Sequence, residues 1–346
     1  MKTFTLCLLI LLMMQTVSQT TMAAATPSGE NEHLMTAAVK FRKGDFSGAA
    51  EVYTQALKAD SSLSEAYNNR GLCKAASGDA EGAVADYSEA IRIDPSMTAA
   101  YNNRGLALMG AGRYRDAISD FDRALRINAV QAEVYNNLGM ARAGLGDHTA
   151  ALDDFAAAIA LKPFYPEAFY NSGCSRQSLN DHEGAIRDFL KIISLRPAYA
   201  EPFYRCGLSR AATGDHKAAL MDYDRAISIS PDYCEAIVDR ALSRIRMRNF
   251  SGALADYDRA ISLQSDNPEL YYNRALIKVK LNDYPGAVTD CATAIDRRES
   301  YPEALFLKGI MLGELGDRDA MLADLQRSAA AGYAPAGKML KKARGR

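Results

Sequence analysis

The sequence contains no tryptophan, only four histidines and six cysteines, and no two cysteines form a Cys-X-X-Cys pair. The missing pair argues against a zinc site or a thioredoxin-like redox motif. No serine-hydrolase, zinc-protease, phosphate-loop or dinucleotide-binding fingerprint is present either. Glycine and proline number only 24 and 11 in 346 residues, too few for a disordered chain. We therefore expect a folded protein that is not an enzyme and has no cofactor and no bound metal.

Neither sign of charge dominates, since the formal net charge is −1. The last eleven residues carry five bases and no acid, so the rest of the chain is mildly acidic. A mildly acidic body argues against a broad surface for nucleic acid. We expect no nucleic-acid partner.

The one long hydrophobic run lies at the N-terminus. Lys2 precedes the apolar run Phe4–Met14, and the small residues Ala23–Ala25 follow. This order is typical of a secretory signal peptide, and the run is too short to span a bilayer, which takes about 20 residues. We predict a cleavable signal peptide at 1–25 and an exported protein, periplasmic or secreted, with no stable membrane span. The alternative is a disordered N-terminus on a cytosolic protein.

Five cysteines follow the leader, and they share no regular spacing. One interpretation is that they are small buried hydrophobic residues. The other is a bridge between neighbouring blocks of the sequence, such as Cys174 to Cys206.

The remaining sequence repeats with a period of 34 residues and no insertion. Nine blocks fill 30–335, after a short linker at 26–29 and before a basic tail at 336–346. Position 8 of each block is Gly or Ala, position 20 is Ala in eight blocks, position 24 is Tyr or Phe in seven, and position 32 is Pro in four. The blocks begin at residues 30, 64, 98, 132, 166, 200, 234, 268 and 302.

This pattern resembles the tetratricopeptide repeat, whose members place small residues at 8 and 20, an aromatic residue at 24 and proline at 32. Small residues let two helices approach closely, and the aromatic ring fills the space beside them. The resemblance implies an all-α fold, a right-handed superhelical α-solenoid of tandem helix-turn-helix repeats. We expect the tail at 336–346 to form a helix that caps the last repeat; the alternative is a basic docking tail.

Two further positions predict contacts inside each repeat. Position 16 is Asp in seven repeats and Asn249 in another, and each can cap the second helix. Position 23 is Asp in repeats two to nine, and each of these repeats has a base at position 7, 11 or both. Positions 7 and 11 lie one turn apart on one helix face, so we predict an ion pair between the two helices.

The opposite face of the first helix is the candidate binding surface. Positions 2, 5, 9, 12 and 13 share it at 100° per residue, with position 6 at its edge, and the resemblance implies that this face lines the concave groove of the solenoid. An amide offers two donors and an acceptor. A row of amides about 8–10 Å apart could hold the backbone of an extended peptide. Position 6 supplies Asn69, Asn103, Asn137, Asn171 and Asn273, with Arg205 in the sixth repeat.

Position 5 divides this groove into a polar part and an aromatic part. We expect the position-6 amides to point to solvent in the free protein, where they could bind a peptide with mixed side chains. The alternative is that these asparagines form hydrogen bonds between adjacent helices. Position 5 supplies Asn68, Asn102 and Asn136 in repeats two to four, and Tyr170, Tyr204 and Tyr272 later.

Two other repeated polar positions have plain interpretations. Position 2 is Glu in seven repeats, which either matches the helix dipole or favours a basic ligand. His148, His182 and His216 occupy position 17 of successive repeats. At about 8–10 Å apart they could not share one metal ion, and we predict that they pack.

The predicted function is that of a non-enzymatic scaffold for protein–protein interaction, which binds an extended peptide in the groove through an asparagine ladder. The alternative is a structural adaptor or assembly factor for an envelope or secretory complex, acting through its edges or convex surface. The expected partner is a protein or a peptide, and the chain could also associate weakly with itself.

Overall fold

The computed structural model describes residues 29–298 and 300–344. The predicted signal peptide at 1–25 and most of the linker lie outside the described residues. The described residues form 19 α-helices and no β-strand. The chain divides into two compact units, one ending at Asp181 and one beginning at His182. We call them unit 1 and unit 2.

Short turns connect the helices, and within each unit consecutive helices pack against one another. Unit 1 contains α1 (Gly29–Arg42), α2 (Phe46–Ala59), α3 (Ser64–Ala76), α4 (Ala80–Ile93), α5 (Thr98–Gly110), α6 (Tyr114–Ile127), α7 (Ala132–Gly144), α8 (His148–Leu161) and α9 (Pro166–Ser178). Unit 2 contains α10 (His182–Leu195), α11 (Ala200–Ala212), α12 (His216–Ile229), α13 (Cys234–Arg246), α14 (Phe250–Leu263), α15 (Pro268–Lys280), α16 (Tyr284–Arg297), α17 (Pro302–Glu314), α18 (Arg318–Ala330) and α19 (Ala334–Arg344). The predicted all-α class of tandem helix-turn-helix pairs, followed by a C-terminal helix, is confirmed.

Close approach of the two helices in a pair depends on positions 8 and 24. A Cβ built on Gly105 would lie 2.6 Å from the ring of Phe121, and one built on Gly139 would lie 2.6 Å from the ring of Phe155. Both rings are fully buried. Side-chain atoms do not approach so closely, so in these two repeats the ring occupies space that only glycine leaves free.

The turn inside a pair has a left-handed residue at position 15, and in most repeats a side-chain cap follows at position 16; Arg113 in the third repeat makes no such cap. Asp79 accepts a hydrogen bond from the Gly82 N–H at 2.9 Å, and Asn249 accepts one from the Gly252 N–H at 3.0 Å. The predicted caps are therefore confirmed at these positions. Arg248 has a φ of 59°, a conformation disfavoured for a residue with a Cβ, so the seventh repeat has a strained turn.

Position 23 carries a buried aspartate that pairs with the bases predicted for it. Asp86 contacts Arg70 at 2.7 Å and Lys74 at 2.8 Å, whereas Asp154 pairs with Arg142 at 2.8 Å. The predicted ion pairs between the two helices are therefore confirmed in repeats two to four and six to nine. The other pairs are Arg104–Asp120, Arg210–Asp222, Arg240 and Arg244 with Asp256, Arg274 and Lys278 with Asp290, and Lys308–Asp324.

The arginine at position 7 also reaches the preceding repeat, a contact that the sequence pattern did not predict. Its partner there is the residue at position 25. One guanidinium thus links three helices, which ties the register of neighbouring repeats together. The contacts are Arg70 to Thr54 at 3.3 Å, Arg104 to Ser88 at 3.0 Å, Arg240 to Asp224 at 2.6 Å and Arg274 to Asp258 at 2.8 Å.

Four of the cysteines among the described residues are buried free thiols, which confirms their interpretation as small buried residues: Cys73, Cys206, Cys234 and Cys291. Across the described ranges, no helix combines the length and the apolar character needed to cross a membrane.

The single partner of Asp154 leads to a prediction about pH. Burial raises the pKa of Asp154 to about 6, against the opposing effect of Arg142, whereas an unfolded chain titrates near 3.9. The folded chain therefore holds a proton that the unfolded chain releases, and stability from this group grows as the pH falls through 6.

Asp154→Asn should abolish this gain in stability at low pH, and the asparagine oxygen can still accept a hydrogen bond from Arg142. Urea unfolding at about pH 7.5 and about pH 5 should show that the wild type gains about 1 kcal/mol relative to the variant at the lower pH. Equal shifts in the two proteins would mean that the carboxylate is ionised in the folded state throughout this range.

Candidate functional site

The asparagines of unit 1 lie on the first helices α3, α5, α7 and α9, where they bond to one another. Each bond joins the amide nitrogen at position 6 to the amide oxygen at position 5 of the preceding repeat. The two residues are 35 apart, one more than the period, because adjacent first helices are offset by one residue. The bonds run from Asn103 to Asn68, from Asn137 to Asn102 and from Asn171 to Asn136, each at 2.9 Å.

Burial contradicts the expectation that these amides point to solvent. Asn103 is 1% exposed and Asn137 is 2% exposed. The alternative, hydrogen bonding between adjacent helices, is what the structure shows. The physical reason is that first helices in unit 1 stack closely enough for one amide to reach the next and exclude water. Peptide binding by Asn103 and Asn137 stays a prediction, and their burial argues against it.

The other predicted residues of unit 1 differ in exposure. Asn68, Asn102 and Asn136 are buried, whereas Asn69, Tyr170 and Asn171 are half-buried. Asn68 also donates to the Asn69 oxygen at 3.2 Å. The amide row of unit 1 is therefore largely an internal network.

In unit 2, a tyrosine at position 5 and an aspartate at position 6 of the next repeat, again 35 residues apart, form the hydrogen bond between repeats. The Tyr204 hydroxyl donates to Asp239 Oδ2 at 2.8 Å. Asp239 is half-buried, and this burial raises its pKa; the Tyr204 bond acts against the shift, and Glu235 adds to it. Among the described residues Asp239 has no basic partner. The sequence reasoning missed Asp239, although it breaks the run of asparagines at position 6.

Arg205 lies one repeat before Asp239 at the same position, and its charge is compensated locally. Its Nε donates to Glu201 Oε1 at 2.8 Å, and its guanidinium lies 6.0 Å from the centre of the Tyr204 ring. Glu201 also accepts a hydrogen bond from the Tyr233 hydroxyl. Arg205 and Glu201 thus form one paired group.

Asn273 differs from the buried asparagines at position 6, because its amide is not used in a hydrogen bond within the described part of the fold. It is half-buried on α15 and has no hydrogen-bond partner among the described residues. The residue 35 positions earlier is Val238, whose side chain cannot accept a hydrogen bond. The Asn273 amide is therefore available to a ligand.

Position 9 shows that this face is more open in unit 2 than in unit 1. Leu242 is 46% exposed and Leu276 is 37% exposed, whereas Leu72 and Leu106 are each 2% exposed. The contrast is confined to these repeats, because Met140 in unit 1 and Leu208 and Ile310 in unit 2 are half-buried at the same position. Two exposed leucines in successive repeats form an apolar surface beside Asn273.

Tyrosines at position 34 complete the aromatic part of this face, and the sequence reasoning missed them. The ring of Tyr204 lies 4.9 Å from that of Tyr233, and the ring of Tyr272 lies 5.2 Å from that of Tyr301. Tyrosine recurs at position 34 in four repeats, which is the signal that would have found them: Tyr165, Tyr199, Tyr233 and Tyr301.

The histidines at position 17 are half-buried. His148 Nδ1 lies 3.4 Å from the Ser175 hydroxyl, and the Nδ1 atoms of His182 and His216 are buried. Within 29–298 and 300–344, no group of three or more His, Cys, Asp or Glu side chains is placed to hold a metal ion.

Comparison with protein families decides the identity of the repeat. Models of the tetratricopeptide repeat match residues 34–98, 102–166, 166–199 and 200–233, and a TPR repeat model matches 249–282. Together these matches cover more than half of the chain. The chain belongs to the tetratricopeptide repeat family. Tetratricopeptide arrays are generally non-enzymatic scaffolds, and this chain is a scaffold for protein interaction.

Solved structures give the same fold. The C-terminal part of a TPR repeat-containing protein from Cytophaga hutchinsonii is 18% identical, with 68% of this chain and 97% of that chain covered and a TM-score of 0.59. A tetratricopeptide repeat protein from Parabacteroides merdae is 18% identical, with 72% and 99% covered and a TM-score of 0.53. Both likenesses show the fold alone.

YrrB, a TPR protein with an unusual peptide-binding site, is 26% identical to this tetratricopeptide chain. The match covers 54% of this chain and 97% of that chain, with a TM-score of 0.48. No curated protein matches the chain.

Asparagines in the two units should respond differently to truncation. Asn137→Ala removes a buried hydrogen bond between helices and leaves a void, so we expect the unfolding free energy to fall by about 1 kcal/mol. Asn273→Ala abandons no partner and introduces a better helix former, so it should be neutral or slightly stabilising. Urea unfolding of the two variants measures both effects. Equal losses would show that Asn273 is also committed to the fold.

Proposed function

We propose that the chain binds an extended protein segment along one face of unit 2. This face consists of positions 5, 6 and 9 on α11, α13, α15 and α17, and we call it the unit 2 face. The observation that carries the proposal is the half-buried amide of Asn273, which has no partner among the described residues. The equivalent amides Asn103 and Asn137 are consumed by bonds between helices.

The spacing of repeats suits an extended ligand. First helices in this family lie about 8–10 Å apart, and an extended chain advances about 3.3 Å per residue. Each repeat would therefore meet every second or third residue of the ligand. The Asn273 amide can bond both a backbone carbonyl and a backbone N–H of such a chain.

Apolar and aromatic groups supply the rest of the contact. Leu242 and Leu276 are exposed one turn from positions 5 and 6, where they can cover an apolar ligand side chain. Tyr204 and Tyr272 are each held by a second ring. Aromatic side chains held in this way lose little entropy on binding and offer a large contact area.

A peptide library tests the proposal. The probe is a pool of fluorescein-labelled nine-residue peptides with degenerate sequence, titrated with the full chain and followed by anisotropy. Asn273→Ala should weaken binding of the pool by about tenfold, the loss of one or two backbone hydrogen bonds.

Asn137→Ala is the matched control, and its binding per folded molecule should equal that of the wild type. Equal binding by wild type and Asn273→Ala would exclude the unit 2 face as the site.

The second candidate function is an adaptor that acts through an edge of the array. It rests on a row of exposed apolar residues at position 14, in the turns of successive repeats: Met247, Leu281 and Leu315. A protein partner captured from a lysate should separate the two functions. Leu281→Gln would release a partner bound at the edge, and Asn273→Ala would release one bound on the unit 2 face.

We also propose that the chain is exported. Support comes from the sequence of residues 1–25, with Lys2, the apolar run and the small residues that end at Ala25. Expression with the natural N-terminus should yield a soluble chain that begins near Thr26 or Ala24. Intact-mass spectrometry measures this, and soluble protein that retains Met1–Phe4 would refute export by cleavage.

A further inference from the structure

Asp239 is an exception in the way this chain treats its buried carboxylates. In repeats two to four and six to nine, the aspartate at position 23 has at least one base within 3.1 Å. Asp256, on the neighbouring helix α14, has both Arg240 and Arg244. Asp239 is half-buried, and within the described part of the chain it accepts a hydrogen bond only from the Tyr204 hydroxyl.

The charges around Asp239 do not compensate it. Glu235, one turn earlier on α13, is also acidic and adds to the repulsion. Arg205 is engaged by Glu201 at 2.8 Å. Arg246 is exposed at position 13 of the same helix, seven residues and about 10 Å further along the axis.

The fold itself does not require this charge. Tyr204 needs an acceptor for its hydroxyl, and a neutral amide at position 239 would supply one. An ionised carboxylate that is partly removed from water without a cation costs free energy. The hydrogen bond from Tyr204 also holds the carboxylate in place, because its Oδ2 is bonded and its Oδ1 has no partner among the described residues.

We infer that the unit 2 face selects ligands with a lysine or arginine side chain, which pairs with Asp239 while the neighbouring ligand residue packs on Leu242. This inference rests on the proposed function. The ligand cation would compensate the charge of the Asp239 carboxylate. Leu242, three residues later on α13, lies on the same side of the helix as Asp239. Glu235 and Glu269 at position 2 give the surroundings the complementary sign.

Positional pools of peptides test the inference. Four fluorescein-labelled nine-residue pools have Arg, Lys, Gln or Glu fixed at the centre and degenerate residues elsewhere. The wild-type chain should bind the Arg and Lys pools about tenfold more tightly than the Gln pool, as expected for a charge-assisted hydrogen bond. The Glu pool should bind most weakly. Asp239→Asn should reduce the preference to less than about twofold and leave the Gln pool unchanged.

Two controls separate charge, structure and site. Asp296→Asn makes the same charge change at an exposed position on α16 and should keep the preference of the wild type. The unfolding free energy of Asp239→Asn should equal or exceed that of the wild type, because the variant loses an uncompensated charge and keeps an acceptor for Tyr204. A clear loss of stability would give Asp239 a structural role instead.

The outcomes distinguish this inference from the proposed function. If Asn273→Ala weakens every pool but the wild type binds the Arg, Lys and Gln pools alike, the basic ligand is wrong and the unit 2 face stands. A preference that survives Asp239→Asn also overturns the role of Asp239. If Asn273→Ala binds every pool as the wild type does and the wild type also binds the Arg, Lys and Gln pools alike, both proposals fall.

Discussion

Packing of the position-24 ring against position 8 is the contact on which the rest of the structure depends. In the third and fourth repeats this ring fills space that only a glycine leaves open, as Phe121 does over Gly105. Because the spacing of the two positions recurs without insertion, neighbouring first helices keep one register within each unit. That register brings Asn103 to Asn68 and Tyr204 to Asp239, both 35 residues apart. Packing inside the repeat therefore decides which polar groups meet between repeats.

Buried charges reinforce this register more than they stabilise the chain. A buried ion pair is weak evidence for stability, because desolvation offsets much of its attraction. Arg240 contacts Asp256 in its own repeat and Asp224 in the preceding one, so a shifted neighbour would leave a charge without a partner. In the fourth and sixth repeats position 7 carries no base, and the aspartate pairs with the arginine at position 11. Burial raises the pKa values of Asp154 and Asp222 to about 6, because a single arginine offsets the effect of burial on each carboxylate only in part.

Contacts inside a repeat could be predicted from the sequence, whereas for contacts between repeats the sequence left alternatives open and did not identify the partners. The cap of Asp79 and the pair of Arg104 with Asp120 follow from spacings within one 34-residue block. Comparison of blocks aligns Asn103 with Asn69, but its actual partner is Asn68, one residue earlier. Because of that offset of one residue, the Asn103 amide, which we expected at the surface, is buried in a hydrogen bond between helices. The exposure of Leu242 could not be predicted either, because position 9 is a leucine both where it is buried, as at Leu72, and where it is exposed, as at Leu242.

A missing partner does not by itself mark a binding site in this molecule. The amide oxygens of Asn103 and Asn137 are buried and have no partner among the described residues, yet no ligand can reach an atom enclosed by stacked helices. These oxygens are a cost of the packing in unit 1. Asn273 and Asp239 also lack partners that their chemistry calls for, but they remain partly exposed beside two exposed leucines. Sequences depart from local rules mainly where function requires it. Exposure together with an unmet hydrogen bond or charge is what separates the two cases, and it is why we propose binding in unit 2 and not at the buried amides of unit 1.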